Sequence, residues 1–244
     1  LNEERESRNS KILFEKLFEN NFIKEVHGLG DFTIKVLTSL SQVEIDINWS
    51  ELIRKNRHYV YPLLKEINQI YLKSSLEERN TKQDLYLCFL STTSSDKSIR
   101  SFATENLFLI GKKYPEILLE LANNTITFSD VNSIESIVVA ICGTTLSIRQ
   151  KDFTQNCLTF LESQFIPNFN KTHICIIEYI FTIQEFAKTI FNLDFAEEVL
   201  FSKENYNISI DEKIKEEIGK NIYHDWHFGL DLYDFNKYQI KGIA

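Results

Sequence analysis

Three prolines and seven glycines are all that punctuate the backbone of this 244-residue chain. A β-sandwich or barrel needs a turn signal every ~8–12 residues, so breakers this sparse argue for helices joined by short connections. Only a polar chain could escape that choice by staying unfolded. With 43% hydrophobic and 25% charged residues, the composition is instead that of a chain with a sizeable core.

Apolar residues recur at the helical period. Between Ser95 and Ala122, the side chains Ile99, Phe102, Ala103, Leu107 and Ile110 fall on one face of a helix. Asp96 stands before that face as an N-cap, able to accept from otherwise unpaired backbone N–H groups. Tyr114, preceding Pro115, is driven out of the α region, whereas Pro115 suits the first turn of a following helix because its missing N–H would be unpaired there anyway. The stretch therefore reads as a helical hairpin.

Further helices are expected over Glu4–Ile23, Phe32–Leu40, Trp49–Lys73, Lys82–Thr92, Asn132–Ile148, Phe153–Gln164, Thr172–Phe191 and Asp211–Ile222. In the helix from Thr172, a core-facing stripe runs through Ile176, Ile180, Ile183, Ala187 and Ile190. Tyr61-Pro62-Leu63-Leu64 echoes Tyr114-Pro115-Glu116-Ile117, and Pro167 follows at a comparable interval. That spacing lies near the roughly 40–47-residue period of HEAT and armadillo units. The expected fold is all-α, an α-solenoid of stacked antiparallel helix pairs, HEAT/armadillo-like. No Gly/Ser linker or composition shift divides it, so residues 1–244 read as a single helical-repeat segment. A start at Leu1 and the lack of Met suggest a piece excerpted from a longer chain, or a sequence from which the methionines were lost.

A formal net charge of -8 argues against general binding of nucleic acid or anionic membrane, whose affinity comes from clustered Lys and Arg. A protein partner is expected. No run of about 18 apolar residues is free of charge, and the opening LNEERESRNS is too acidic for a signal peptide, so the expected location is cytoplasmic. Cys88, Cys142, Cys157 and Cys175 sit in apolar settings without CxxC spacing and read as buried free thiols.

No motif in the chain demands reaction chemistry. Gly111-Lys112-Lys113 lacks the preceding Gly and following Ser or Thr of a phosphate loop, with Asn106 and Lys113 at those places. His27-Gly28-Leu29-Gly30-Asp31 reads as a turn in which glycine supplies left-handed conformations and Asp31 caps the next helix. His224, Asp225, His227, Asp231 and Asp234 could gather a metal, but His-x-x-His alone is a weak signature. The interleaved Trp226, Phe228, Leu230, Leu232 and Phe235 favour a packed turn. Neighbouring carboxylates such as Glu3-Glu4, Glu77-Glu78, Glu197-Glu198 and Glu216-Glu217 diverge around a helix and form no acid/base pair. The segment is accordingly expected to be no enzyme, with no catalytic, cofactor or metal residue. A basic and aromatic patch around His58, made of Arg54, Lys55, Arg57, Tyr59 and Tyr61, reads as a solvated helix face, the alternative being a contact surface for an acidic partner or nucleic acid. On that alternative, Arg54, Lys55, Arg57 and Tyr59 are the contact residues expected to matter.

Two stretches carry a family resemblance. Asp130-Val131-Asn132-Ser133-Ile134-Glu135-Ser136-Ile137, running on to Ala140-Ile141-Cys142-Gly143, resembles a stretch in the helical region of very large bacterial STAND-type, NACHT-like NTPases of anti-phage defence. His173-Ile174-Cys175-Ile176-Ile177-Glu178-Tyr179, followed by Ile183, Glu185, Phe186 and Ala187, resembles a second such stretch, in the same order. The chain departs from the pattern at Val131, Cys142 and Phe181-Thr182, where the family has Pro, an aromatic and Arg-Gly. The resemblance implies a helical-repeat sensor whose repeats recognise an invader's protein, such as a phage protein. It also implies NTPase and effector parts elsewhere in the parent protein as partners. The alternative is a HEAT/armadillo-like scaffold or adaptor in a cellular complex.

Overall fold

Helix follows helix along the chain. The computed structural model describes residues 11–24, 26, 28–73, 80–165, 167 and 172–195, all within one compact unit, Leu1–Phe195. Helix α1 covers 11–18 and ends in a π turn, Glu19–Ile23; α2 is Leu29–Thr38. Helix α3 runs from Gln42–Glu44 through a π turn, Ile45–Ser50, into Glu51–Lys55. Then come α4 (Arg57–Lys73), α5 (Thr81–Thr92), α6 (Lys97–Lys113), α7 (Pro115–Thr125), α8 (Val131–Ile148), α9 (Lys151–Phe165) and α10 (Ile174–Phe191). Among the described residues there is no strand.

Side-chain caps start several of these helices. Asn80, Asp96 and Asp130 each accept from a backbone N–H in the first turn, at 3.2, 2.9 and 3.1 Å. Ser41 and Glu44 form a reciprocal capping box at α3. Pro115 opens α7 behind Tyr114 at φ -133°, ψ 65°, as its missing N–H requires. Helices α8 and α10 end on left-handed residues that are not glycine, Arg149 and Asn192.

Helices α6 and α8 occupy the centre of the packing. Helix α6 packs against α4, α5, α7 and α8, and α8 packs in turn against α5, α7, α9 and α10. Ile99, Ala103, Leu107 and Ile110 of α6 are wholly buried, as are Ile137, Val138, Ala140 and Ile141 of α8. Gly143 lets α6 approach α8 closely, since a Cβ there would lie 2.9 Å from the Phe108 ring. At the N-terminal end, Phe18 and Phe22 pack on Trp49, whose indole N–H donates to the Leu90 carbonyl at 3.3 Å. The π turn of α3 keeps Ile45, Trp49 and Ile53, spaced by four residues, on one buried face.

Several expectations are corrected. The helix expected over Trp49–Lys73 is broken at Asn56, with φ -100° and ψ 26°, so α3 and α4 are separate. Pro62 is no break but lies inside α4, in its second turn, and the helix runs on to Lys73 with one backbone hydrogen bond forgone. The match between Pro62 and Pro115 therefore marks no repeat. Asp31 does not cap α2; Gly28, at φ 78°, holds that place, and Asp31 instead pairs with Lys35 at 2.6 Å. Gly30 serves close packing, because a Cβ there would lie 2.4 Å from Tyr86 Cβ. Ile190 is exposed, off the core stripe of α10. Cys88, Cys142 and Cys157 are buried and form no disulfide, but Cys175 is only half-buried. The helix expected at Asp211–Ile222 lies outside the described residues, as does the 196–244 part of the single segment.

Helix α8 is long and apolar enough to cross a membrane by composition, with Glu135 as its only charge, yet it is mostly buried among its neighbours. Its hydrophobicity is that of a core helix.

Candidate functional site

The basic patch forms across the junction of α3 and α4, where the kink at Asn56 brings Arg54, Lys55, Arg57 and Tyr59 to the surface. Its cations are already partnered. Arg54 grips Glu51 through two hydrogen bonds of 2.7 Å, and Lys55 lies 3.4 Å from the same carboxylate. The Arg54 hydrogen bond brings the Glu51 carboxyl down to about 2. Arg57 bonds Asp96 at 2.7 Å and lays its guanidinium 5.6 Å from the Tyr61 ring centre. Tyr59 is exposed and lies against His58, tilted at 44° with 4.2 Å between the ring centres. The four expected contact residues are together and accessible, but the surface they form carries one positive charge in excess, not three.

A second surface on the same helix is apolar. Val43 and Ile47, about one turn apart on the outer face of α3, are 63% and 67% exposed. The Gln42 amide reaches Asp130 at 3.4 Å, and the Ser129 hydroxyl donates to the Leu40 carbonyl at 3.0 Å. These bonds bring the start of α8, with Val131 49% exposed, up beside the start of α3. Sequence periodicity missed this surface because it scores apolar residues for burial, and nothing local says that Val43 and Ile47 face outward while Ile45 and Trp49 face inward.

The helices of the two family-like stretches meet. Helices α8 and α10 pack against each other, and Glu135, His173 and Cys175 come together where α10 begins, with one donor atom from each within 4.8 Å of the others. His173 Nδ1 lies 3.9 Å from Glu135 Oε2. Burial raises the Glu135 carboxyl above its ordinary value, against the opposing pull of His173 and Arg100. Burial likewise raises the Cys175 thiol, helped by the Glu135 charge. Sequence reasoning expected no metal ligands and did not single these out. His-x-Cys before an apolar run was the available signal, but Glu135, 38 residues earlier, is joined to it only by tertiary packing. His224, Asp225, His227, Asp231 and Asp234 lie outside the described residues.

A groove of about 400 Å³ lies between α2, α5 and α7. Its wall carries the Lys82–Glu120 ion pair, 2.8 Å long, with Asp31, Tyr86 and the Gln83 amide. Gln83 is 4% exposed and neither its amide nitrogen nor its oxygen has a hydrogen-bond partner. Gly111 lies in the last turn of α6, wedged between Leu118 and Thr144.

The chain matches no family model, no curated protein and no solved structure.

Proposed function

We propose that this chain is a non-catalytic helical-repeat segment that recognises a protein, the sensor or scaffold part of a bacterial defence NTPase whose other parts lie elsewhere in the parent protein. The single observation that carries the recognition role is the outward apolar face of α3, where Val43 and Ile47 stand about two-thirds exposed beside Val131. Large apolar side chains clustered at a surface are characteristic of protein contact sites. The charged rim supplied by Arg54, Lys55 and Arg57, with Glu51 and Asp96, is suited to orienting a partner.

An α-solenoid is the architecture this reading uses. Its support is the order of packing, in which helices two apart along the chain touch in series: α4 with α6, α6 with α8, α8 with α10, and likewise α5 with α7 and α7 with α9. Helix pairs stacked in that way present an extended surface to a bound protein. The sensor assignment rests on the family-like stretches, which form the neighbouring helices α8 and α10.

The test is capture of bound proteins from phage-infected and uninfected bacteria. Wild type, the double variant Val43→Asp/Ile47→Asp and the core variant Leu107→Asp are used, each with a thermal melt. The sensor reading predicts a partner recovered only after infection and lost with the double variant while its melt is unchanged, since surface substitutions usually alter stability by less than about 0.5 kcal/mol. Leu107→Asp places an unpaired carboxylate in the core and should lose fold and partner together. Equal recovery of constitutive cellular proteins in both conditions would favour the scaffold or adaptor reading, and full retention by the double variant would remove the α3 face from the account.

A further inference from the structure

We infer that Glu135, His173 and Cys175 form a three-ligand transition-metal site for Zn²⁺ that ties the start of α10 to α8. The donors are of three kinds, a carboxylate oxygen, an imidazole nitrogen and a thiol sulfur, which is the mixture that a borderline-soft ion such as zinc accepts. Their spacing fits one ion. The 3.9 Å between His173 Nδ1 and Glu135 Oε2 is too long for a hydrogen bond. It is close to the ~3.4 Å that separates two ligands each about 2.0–2.1 Å from a tetrahedral zinc. All three donor atoms lie within 4.8 Å of one another, so modest side-chain rotation would bring them onto one ion.

The elements already hold the donors in place. Glu135 projects from the second turn of α8, a helix locked in the core by Ile134 and Ile137 on either side. His173 adopts an extended backbone as N-cap residue of α10, with no side-chain bond to the helix it precedes. Its ring is therefore not engaged in capping. Cys175 is the one thiol of the four that is not buried. Three protein ligands leave the fourth tetrahedral position open to water or to a group from a partner. Because Glu135 and the pair His173 and Cys175 belong to different helices, bound metal would stabilise their packing by mass action, as any ligand specific for the folded state does.

Cobalt(II) titration of the full chain tests this, since tetrahedral cobalt bound to thiolate gives a sulfur-to-cobalt charge-transfer band as well as visible absorption. The expected result is saturation at one equivalent with the sulfur band present. Cys175→Ser should abolish the band, and Glu135→Gln and His173→Gln should each weaken binding by more than about tenfold, the least that perturbing a ligand shell brings. His224 and His227 could bind cobalt but cannot supply that band. Absence of the band at millimolar cobalt, or its survival in Cys175→Ser, would overturn the site. A wild-type measurement guards against variants that fail to fold. Zinc at a hundredfold excess over Kd leaves about 1% of sites free and should slow alkylation of Cys175 by up to ~100-fold, reversed by chelator. An alkylation rate indifferent to zinc would equally overturn it.

Discussion

Replacing Asn106 with leucine should destabilise the fold by about 3 kcal/mol. Asn106 is wholly buried on α6, where its Nδ2 donates to the Leu64 carbonyl of α4 at 2.8 Å and its Oδ1 accepts from Asn68 Nδ2 at 2.9 Å. Leucine keeps the volume and removes both bonds. Each is worth about 1 kcal/mol net, and a buried donor stripped of its partner costs roughly 1–3 kcal/mol more. Asn68 can still reach Glu105 Oε1 at 3.2 Å, which places that second contribution near its lower limit. For a unit of this size 1 kcal/mol shifts Tm by about 2–4 °C, so Asn106→Leu should melt about 6–12 °C lower. The double variant Asn68→Leu/Asn106→Leu removes donor and acceptor together and should recover most of the loss, because apolar replacement of both partners is nearly neutral. Urea unfolding followed by far-UV circular dichroism measures wild type, the two single variants Asn68→Leu and Asn106→Leu, and the double variant. A single variant within about 0.5 kcal/mol of wild type, or a double variant whose loss is the sum of the two singles, would refute a coupled polar link between α4 and α6.

Three other outcomes are expected. Gly30→Ala should cost about 1–3 kcal/mol by chemical denaturation, because its new Cβ would stand 2.4 Å from Tyr86 Cβ, which is not the movable end of a side chain. Asp96→Ala should cost about 1 kcal/mol through loss of the α6 cap. The Ser98 hydroxyl chiefly holds the Asp96 carboxyl below its ordinary 3.8, so that stabilisation is complete above pH 3.8 and is lost as pH falls through the lower folded value. Melts of wild type and variant should accordingly converge in acid. Without added metal, native alkylation followed by peptide mass mapping should label Cys175 first, because burial pushes the Cys142 and Cys157 thiols up to about 12 and Cys88 is fully buried.

Local chemistry made much of the fold legible. Asp96 and Pro115 carry their structural roles within a few residues, so the α6–α7 hairpin could be read from the chain, as could the buried stripe of α6. What failed needed information from elsewhere in the molecule. Gly30 looked like turn chemistry, but its requirement comes from Tyr86 on α5. Pro62 resembled Pro115, yet a proline early in a helix and a proline that opens one differ only in where the preceding turn is already wound. Arg149 ends α8 in a left-handed conformation that no glycine announces. The basic residues of the patch stand together in the sequence and at the surface, whereas their pairing was half legible: Glu51 is three residues from Arg54, but Asp96 reaches Arg57 only through the packing of α4 against α6. Glu135 and Cys175 were visible singly, and only the contact of α8 with α10 makes them neighbours.

The central claim is that the outer face of α3 is where a protein docks, and hydrogen exchange on the captured complex tests it most directly. Protection from exchange on binding should appear at residues 42–55 and at the adjoining start of α8, 129–132, with the buried helices α6 and α8 otherwise unchanged. Protection confined to other elements, with 42–55 exchanging as in the free chain, would contradict it.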